Sequence, residues 1–248
     1  MNDKISRRTA LRSLPFVTVA CAWAFGTPAY GRSRGTPSSL PALPVSRGNP
    51  VLPQIALTFD ACQATHQKPG YDAKIIAVLQ ATQTPATLFL GGLWMQSFPG
   101  ETKRLAENPL FELGQHSWDH PDFTRINTVE MAAQLAKTQT LMARLTGRAG
   151  TLMRFPYGRY NATAIAVAQA HGLIPVQWDV VSGDPSPSML APRLITKVVS
   201  HTRNGSIIIV HINGRGWHSA EALPTIIAQL RARGFRFVTV SDMLNAPN

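Results

Sequence analysis

Five ionisable side chains stand where short apolar runs of the sequence end, and their types suit hydrolytic chemistry. They are Asp60, His116, His120, Arg154 and His211. Two histidines four residues apart can both reach one ion from a single helical turn, and imidazole nitrogen suits Zn²⁺ and other late first-row metals. A carboxylate beside that ion can act as general base on its bound water, and an imidazole across the site can protonate a leaving group. Metal, base, orienting arginine and opposing acid are the parts of a hydrolase that attacks a carbonyl group with water.

Each of these residues also has an ordinary structural explanation. Asp60 could cap a helix, and an isolated pair such as His116 and His120 could lie on the surface. Arg154 could serve in a structural ion pair, and His211 could be a histidine satisfied within the core. Their joint placement at the ends of predicted strands favours a shared site over these separate explanations.

A repeating pattern of strands and helices must position these side chains. From residue 54 onward, short strand-like apolar runs alternate with longer helix-like runs. The predicted strands cover residues 54–60, 86–90, 111–116, 151–155, 173–178, 206–211 and 235–240. The predicted helices cover residues 71–82, 101–108, 128–146, 161–171, 188–202 and 219–233. Such alternation implies a mostly parallel sheet, and seven units predict closure into an α/β barrel whose working residues lie on one rim.

The first 53 residues are predicted to be an export signal followed by a leader. Arg7 and Arg8 precede an apolar run from Leu14 to Phe25, so residues 1–29 resemble a twin-arginine export signal. A lipid-linked Cys21 is an alternative. The run is too short for a membrane anchor. Residues 30–53 are rich in proline, serine and glycine and predict an extended leader or linker before a catalytic domain at 54–248.

The positive charge of the chain is concentrated at its beginning. Of the formal net charge of +11, residues 1–54 hold +6 and the remainder +5. No basic helix or interleaving of basic and aromatic residues follows residue 54, so we expect no nucleic-acid partner. Removal of the signal leaves Cys62 as the one cysteine of the mature chain, which excludes an intramolecular disulfide.

Five ordered motifs resemble the NodB-homology polysaccharide deacetylases, carbohydrate esterase family 4. The motifs are Thr58-Phe59-Asp60, His116 to His120, Arg154 to Gly158, Trp178 to Asp184 and Ile208 to His211. The resemblance covers about residues 54–244. It implies an irregular (β/α)7-type barrel that removes acetyl groups from an N-acetylated sugar.

The resemblance also implies a role for each matching residue. Asp60 would be the general base held by Arg154, and His116 and His120 would ligate a divalent metal, with zinc favoured. The backbone N–H of Tyr157 would stabilise the oxyanion. His211 would be the general acid, with Asp184 orienting it and Asp179 as a weaker candidate for that role. Independently of the resemblance, aromatic side chains near the motifs favour stacking on a sugar and are equally compatible with core filling: Trp118, Tyr157, Trp178 and Trp217.

The chain departs from the family at position 61. The family normally has there a second aspartate, the third metal ligand, whereas this chain has Ala61 followed by Cys62. Asp60 itself, a neighbour such as Cys62 or His66, or additional waters could complete the site, and Cys62 could equally be a small buried hydrophobe. The chain is similar to a divergent subgroup of the family. Members of that subgroup lack the second aspartate but keep a glycine-and-tryptophan loop, which corresponds here to residues 213–218.

Three functions follow from the sequence. The leading hypothesis is a periplasmic or secreted, metal-dependent deacetylase of an N-acetylated polysaccharide or cell-envelope glycan. The alternatives are a catalytically impaired carbohydrate-binding pseudoenzyme and an amidase or esterase on a substrate other than a glycan. We expect a monomer without a transmembrane anchor.

Overall fold

A curved parallel sheet surrounded by helices forms the fold. The computed structural model describes residues 41–245, so the predicted signal at 1–29 and the first part of the predicted leader lie outside the described residues. Within 41–245 the strands are β1 (Gln54–Ala61), β2 (Ala86–Leu90), β3 (Phe111–Gln115), β4 (Leu152–Met153), β5 (Ile174–Pro175), β6 (Val180–Val181), β7 (Ile207–His211) and β8 (Arg236–Phe237). The sheet order is β5-β4-β3-β2-β1-β7-β6, with β8 paired to β1. The prediction of an irregular α/β barrel is confirmed.

Helices cover the outer face of the sheet. They are α1 (Ala73–Ala81), α2 (Gly92–Ser97), α3 (Pro99–Glu107), α4 (Thr128–Thr146), α5 (Ala162–Ala170), α6 (Ala191–His201), α7 (Ser219–Ala232) and α8 (Val240–Leu244). The six predicted helices are confirmed, whereas the short α2 and α8 were not predicted. Among the described residues, no helix is long and apolar enough to cross a bilayer.

Some strands are shorter than predicted. Residues 173–178 form only Ile174–Pro175, which pairs with the equally short β4. Residues 151–155 form only Leu152–Met153, and Pro156 begins a short 3-10 turn directly after them. Val180–Val181 is an additional strand that pairs with β7, and its two residues are too few to show a periodicity.

The predicted leader takes part in the barrel. Val45 bridges Val176 just beyond β5, and Arg47 bridges Ser206 just before β7. The backbone N–H of Val45 donates to Pro175 O at 2.8 Å, and that of Gln177 donates to Val45 O at 2.7 Å. The second part of the predicted leader therefore contacts the sheet, with Val45 next to β5 and Arg47 next to β7.

Alternation along the strands decides which side chains reach the interior. Ile55, Leu57, Phe59 and Ala61 of β1 belong to the large cluster that packs against the helices. Residues of the opposite strand face build a second cluster within the curved sheet: Ala56, Phe89, Leu152, Ile174, Val176 and Ile207. Because side chains alternate with a period of two, Asp60 follows Ala56 onto the inner face.

Candidate active site

A buried ion pair joins the ends of β1 and β4. Arg154 Nη1 donates to Asp60 Oδ1 at 2.7 Å, and both side chains are almost completely buried. The guanidinium group also donates to the backbone oxygens of Val176 and Gln177, at 3.3 Å and 3.2 Å. Burial alone would raise the pKa of Asp60, but the charges of Arg154, His116 and His211 outweigh burial and lower it. Asp60 is thus an ionised, fixed carboxylate.

The two histidines of the second motif lie on a loop rather than on a helical turn. His116 directly follows β3, and its Nδ1 donates to Arg154 O at 2.9 Å, which leaves Nε2 as the acceptor nitrogen. That Nε2 lies 3.6 Å from Asp60 Oδ2. His120 has a left-handed φ of 65° and its ring centroid lies 4.9 Å from that of His116. The assumed helical spacing was wrong, and a strained backbone brings the two rings together instead.

Gln134 on α4 fixes this loop. Its Oε1 accepts the backbone N–H groups of Trp118 and Asp119 at 2.8 Å and 3.1 Å. Its Nε2 donates to Asp119 Oδ1 at 2.7 Å. One side chain therefore satisfies three groups between the two histidines, and this positioning residue has no motif in the sequence.

A histidine–carboxylate pair stands at the end of β7. His211 Nδ1 donates to Asp184 Oδ1 at 2.9 Å, and Ser182 and Ser219 donate to the same carboxylate at 2.7 Å and 3.0 Å. Burial would lower the pKa of His211, but the hydrogen bond and charge of Asp184 outweigh burial and raise it. His211 is the register partner of Asp60 on the adjacent strand. The structure therefore brings the predicted acid and base side by side.

Asp179 directly precedes β6 and contacts the start of β7, the end opposite to His211. Its carboxylate accepts the backbone N–H of Ile207 at 2.8 Å and the hydroxyl of Ser206 at 3.0 Å. Ile207 begins β7, whereas His211 ends it. Asp184 rather than Asp179 is thus the carboxylate that orients His211.

Cys62 turns toward the histidines. The candidate ligand atoms of Cys62, His116 and His120 all lie within 4.8 Å of one another. Burial and the negative charge of Asp60 raise the pKa of the Cys62 thiol to about 12. Burial and the charge of His116 lower the pKa of His120 to about 3, so its imidazole is neutral. Sulfur and neutral imidazole form a donor set that fits a divalent metal such as zinc.

Three of the aromatic residues predicted for the substrate and oxyanion sites differ in exposure. Tyr157 is 59% exposed with φ of 58°, and its ring lies edge-on to His120 at 4.4 Å between centroids. Trp217 is 58% exposed. Trp178 is half-buried on the inner cluster, with the Arg154 guanidinium 5.3 Å from its ring. Tyr157 and Trp217 offer rings to a ligand, whereas Trp178 supports Arg154.

Comparison with known proteins agrees with this geometry. The family model described as polysaccharide deacetylase matches residues 48–176. The chain belongs to the polysaccharide deacetylase family. It is 33% identical over 212 residues to the peptidoglycan-N-acetylglucosamine deacetylase PgdA of Listeria monocytogenes, a match that covers 85% of this chain and 42% of PgdA. The chain spans between 42% and 62% of the length of the first curated relatives that it matches.

Solved structures of the family share the fold. The Bc1960 peptidoglycan N-acetylglucosamine deacetylase superposes with a TM-score of 0.75 at 30% identity, covering 82% of this chain and 93% of that one. BA3943, a family 4 pseudoenzyme from Bacillus anthracis, superposes with a TM-score of 0.72 at 24% identity, covering 83% and 70%. The family's fold therefore occurs both in a deacetylase and in a protein described as a pseudoenzyme, so the site residues must decide the function.

Proposed function

We propose that this polysaccharide deacetylase family member removes N-acetyl groups from an N-acetylated glycan of the cell envelope. One observation carries the proposal: a fixed carboxylate, Asp60, and a carboxylate-paired imidazole, His211, end adjacent strands in register. The two named relatives above that act on peptidoglycan N-acetylglucosamine support this substrate class.

The proposed chemistry assigns one task to each side chain. Asp60 takes a proton from the attacking water, and Arg154 keeps that carboxylate ionised and aligned. His211 holds its Nδ1 proton on Asp184, so its other ring nitrogen gives a proton to the departing sugar amine. The backbone N–H of Tyr157 contributes to the oxyanion site, which its left-handed conformation helps to orient. A bound divalent metal, zinc by preference, would supply Lewis-acid polarisation of the acetyl carbonyl group.

Acetate release from acetylated glycans tests the proposal. We expect purified, metal-loaded protein to release acetate from peptidoglycan fragments or N-acetylglucosamine oligomers, and expect Asp60→Asn to abolish the release. Asp179→Asn is the matched control, because Asp179 binds the far end of β7. Absence of acetate from all N-acetylated glycans would refute the proposal. Turnover of an acetyl ester or a simple acetamide alone would instead support the esterase or amidase alternative.

We also propose that the protein is exported and works as a monomer outside the cytoplasmic membrane. The paired Arg7 and Arg8 before the apolar run support a twin-arginine signal, and an envelope glycan lies outside that membrane. A fusion of residues 1–53 to a reporter should be exported, and replacing both arginines by lysine should stop its export. Export that persists through both replacements would contradict the signal type.

A further inference from the structure

At the end of β1, Cys62 lies on the inner face of the sheet. It directly follows Ala61, the position at which the family has its second aspartate. Ala61 belongs to the cluster that packs against the helices. Because side chains alternate along a strand, the residues on either side of Ala61, Asp60 and Cys62, both face inward. Cys62 is 7% exposed and thus has almost no access to solvent.

The sulfur of Cys62 stands close enough to both histidines to share an ion with them. Zinc lies about 2.3 Å from a thiolate sulfur and about 2.0–2.1 Å from an imidazole nitrogen. The ligand atoms of Cys62, His116 and His120 lie within 4.8 Å of one another, so small side-chain rotations close them on one ion. The hydrogen bond from His116 Nδ1 to Arg154 O already orients the free Nε2 of that ring.

A second observation concerns the hydrogen bonding of the Cys62 sulfur, and it comes from Asn213, which follows β7. Asn213 Nδ2 donates to Cys62 O at 2.8 Å and to Cys62 Sγ at 2.9 Å. The carbonyl oxygen fixes which end of the Asn213 amide faces Cys62, because only its NH2 group can donate. The sulfur is therefore placed as a hydrogen-bond acceptor, and the same contact would stabilise the thiolate that a bound metal requires. Asn213 Oδ1 is buried without a partner.

From these contacts we propose that Cys62 is the third protein ligand of the metal, so that Cys62, His116 and His120 form a site which Asn213 supports. This inference rests on the proposed function, because it names the ligand set of that same site. On metal binding the S–H bond breaks, the proton is released to water, and the sulfur binds as thiolate. Sulfur in place of a carboxylate makes the donor set softer, so the site should select zinc over magnesium or manganese.

X-ray absorption at the zinc edge tests the ligand set without any substrate. The chain has two cysteines, Cys21 and Cys62. In Cys21→Ser protein loaded with one equivalent of zinc, we expect a sulfur shell at about 2.3 Å beside nitrogen at about 2.0–2.1 Å. The sulfur shell should vanish when Cys62→Ser is added to the Cys21→Ser protein. Asn213→Ala should keep the shell and bind zinc about 10–100-fold more weakly, the usual cost of losing a group that orients a ligand.

The outcomes separate this inference from the proposed function. A spectrum of Cys21→Ser protein with only nitrogen and oxygen around zinc would overturn the inference, and that variant keeps every residue of the site. A sulfur shell that persists in Cys62→Ser protein would overturn it as well. If the sulfur shell is present but no glycan releases acetate, the ligand set stands and the proposed function fails. If acetate is released but no sulfur shell is found, the proposed function stands and the ligand set fails.

Discussion

Asp184 controls the charge of His211, and Asp184→Asn should expose that control. The carboxylate accepts four hydrogen bonds: His211 Nδ1 at 2.9 Å, the His211 backbone N–H at 2.8 Å, and the hydroxyls of Ser182 and Ser219 at 2.7 Å and 3.0 Å. The backbone N–H can only donate, so the asparagine oxygen must take the position facing it. The new NH2 group then faces His211 Nδ1 and holds the ring neutral.

The size of the effect follows from the interaction that is lost. A positioned acid contributes about 10²–10⁴-fold to a rate, so kcat/KM at neutral pH should fall by that factor. One charge-assisted hydrogen bond is worth about 1.5–3 kcal/mol, and the free energy of unfolding should fall by an amount of that order. Burial remains after the substitution while the charge of Asp184 is gone, so the pKa of His211 should drop below that in the original protein.

The pH dependence has a defined sign. The pKa of folded His211 is raised above its ordinary value of 6.5. Its pairing with Asp184 therefore contributes stability that is complete below about pH 6.5 and is lost as pH rises through the folded-state pKa. Activity that needs a protonated His211 should fall over the same alkaline range, and the fall should begin at lower pH in Asp184→Asn.

Two measurements check this reasoning, and one does not depend on activity. Acetate release is followed against pH, and the ring protons of His211 are titrated by NMR. Asp179→Asn is the control, because that carboxylate also binds β7 but at Ile207; its profile should not move. An unchanged His211 midpoint in Asp184→Asn, or an equal shift in Asp179→Asn, would refute the argument.

Further predictions concern the base, the metal and the N-terminal segment. Asp60→Asn leaves Arg154 buried without its counter-charge, so unfolding free energy should fall by about 3–5 kcal/mol in a denaturant titration; a change under 1 kcal/mol would contradict the pairing. A chelator should abolish acetate release, and added zinc should restore it more fully than magnesium; full activity in metal-free protein would exclude a metal role. Deleting residues 1–48 removes the bridges of Val45 and Arg47, whereas deleting residues 1–40 keeps them. The longer deletion should therefore have the lower melting temperature. Equal melting temperatures would contradict a structural role for residues 41–48.

The convergence of the site was predictable because it depends on the topology of the sheet. Asp60, His116, Arg154 and His211 each follow an apolar run, and the carboxyl ends of parallel strands share one edge. Strand boundaries were therefore enough to place these residues together before any distance was known. The outer helices were predictable for a similar reason, since their apolar faces repeat over two turns or more.

The remaining features depend on contacts that leave no local signal. Ser219 donates to Asp184 across 35 positions and Asn213 donates to Cys62 across 151 positions, and nothing near either residue marks the pairing. A buried cysteine after a strand is equally typical of a core and of a ligand until its neighbours are known. Val45 and Arg47 join the sheet through single bridges, which are too short to produce a periodicity among prolines and glycines.

The energetics of the buried charges bear on the choice between a hydrolase and a carbohydrate-binding pseudoenzyme. Asp60, Arg154 and Asp184 are each at most 3% exposed, and taking such groups out of water costs several kcal/mol per ion before pairing offsets it. Apolar residues of similar volume would stabilise the barrel equally well or better, so stability alone does not call for these pairs. Sugar binding needs exposed rings such as Trp217, and it does not require an ionised carboxylate next to an imidazole that is paired with a second carboxylate. An acid and a base held ready in register are required for proton transfer, and that requirement favours catalysis.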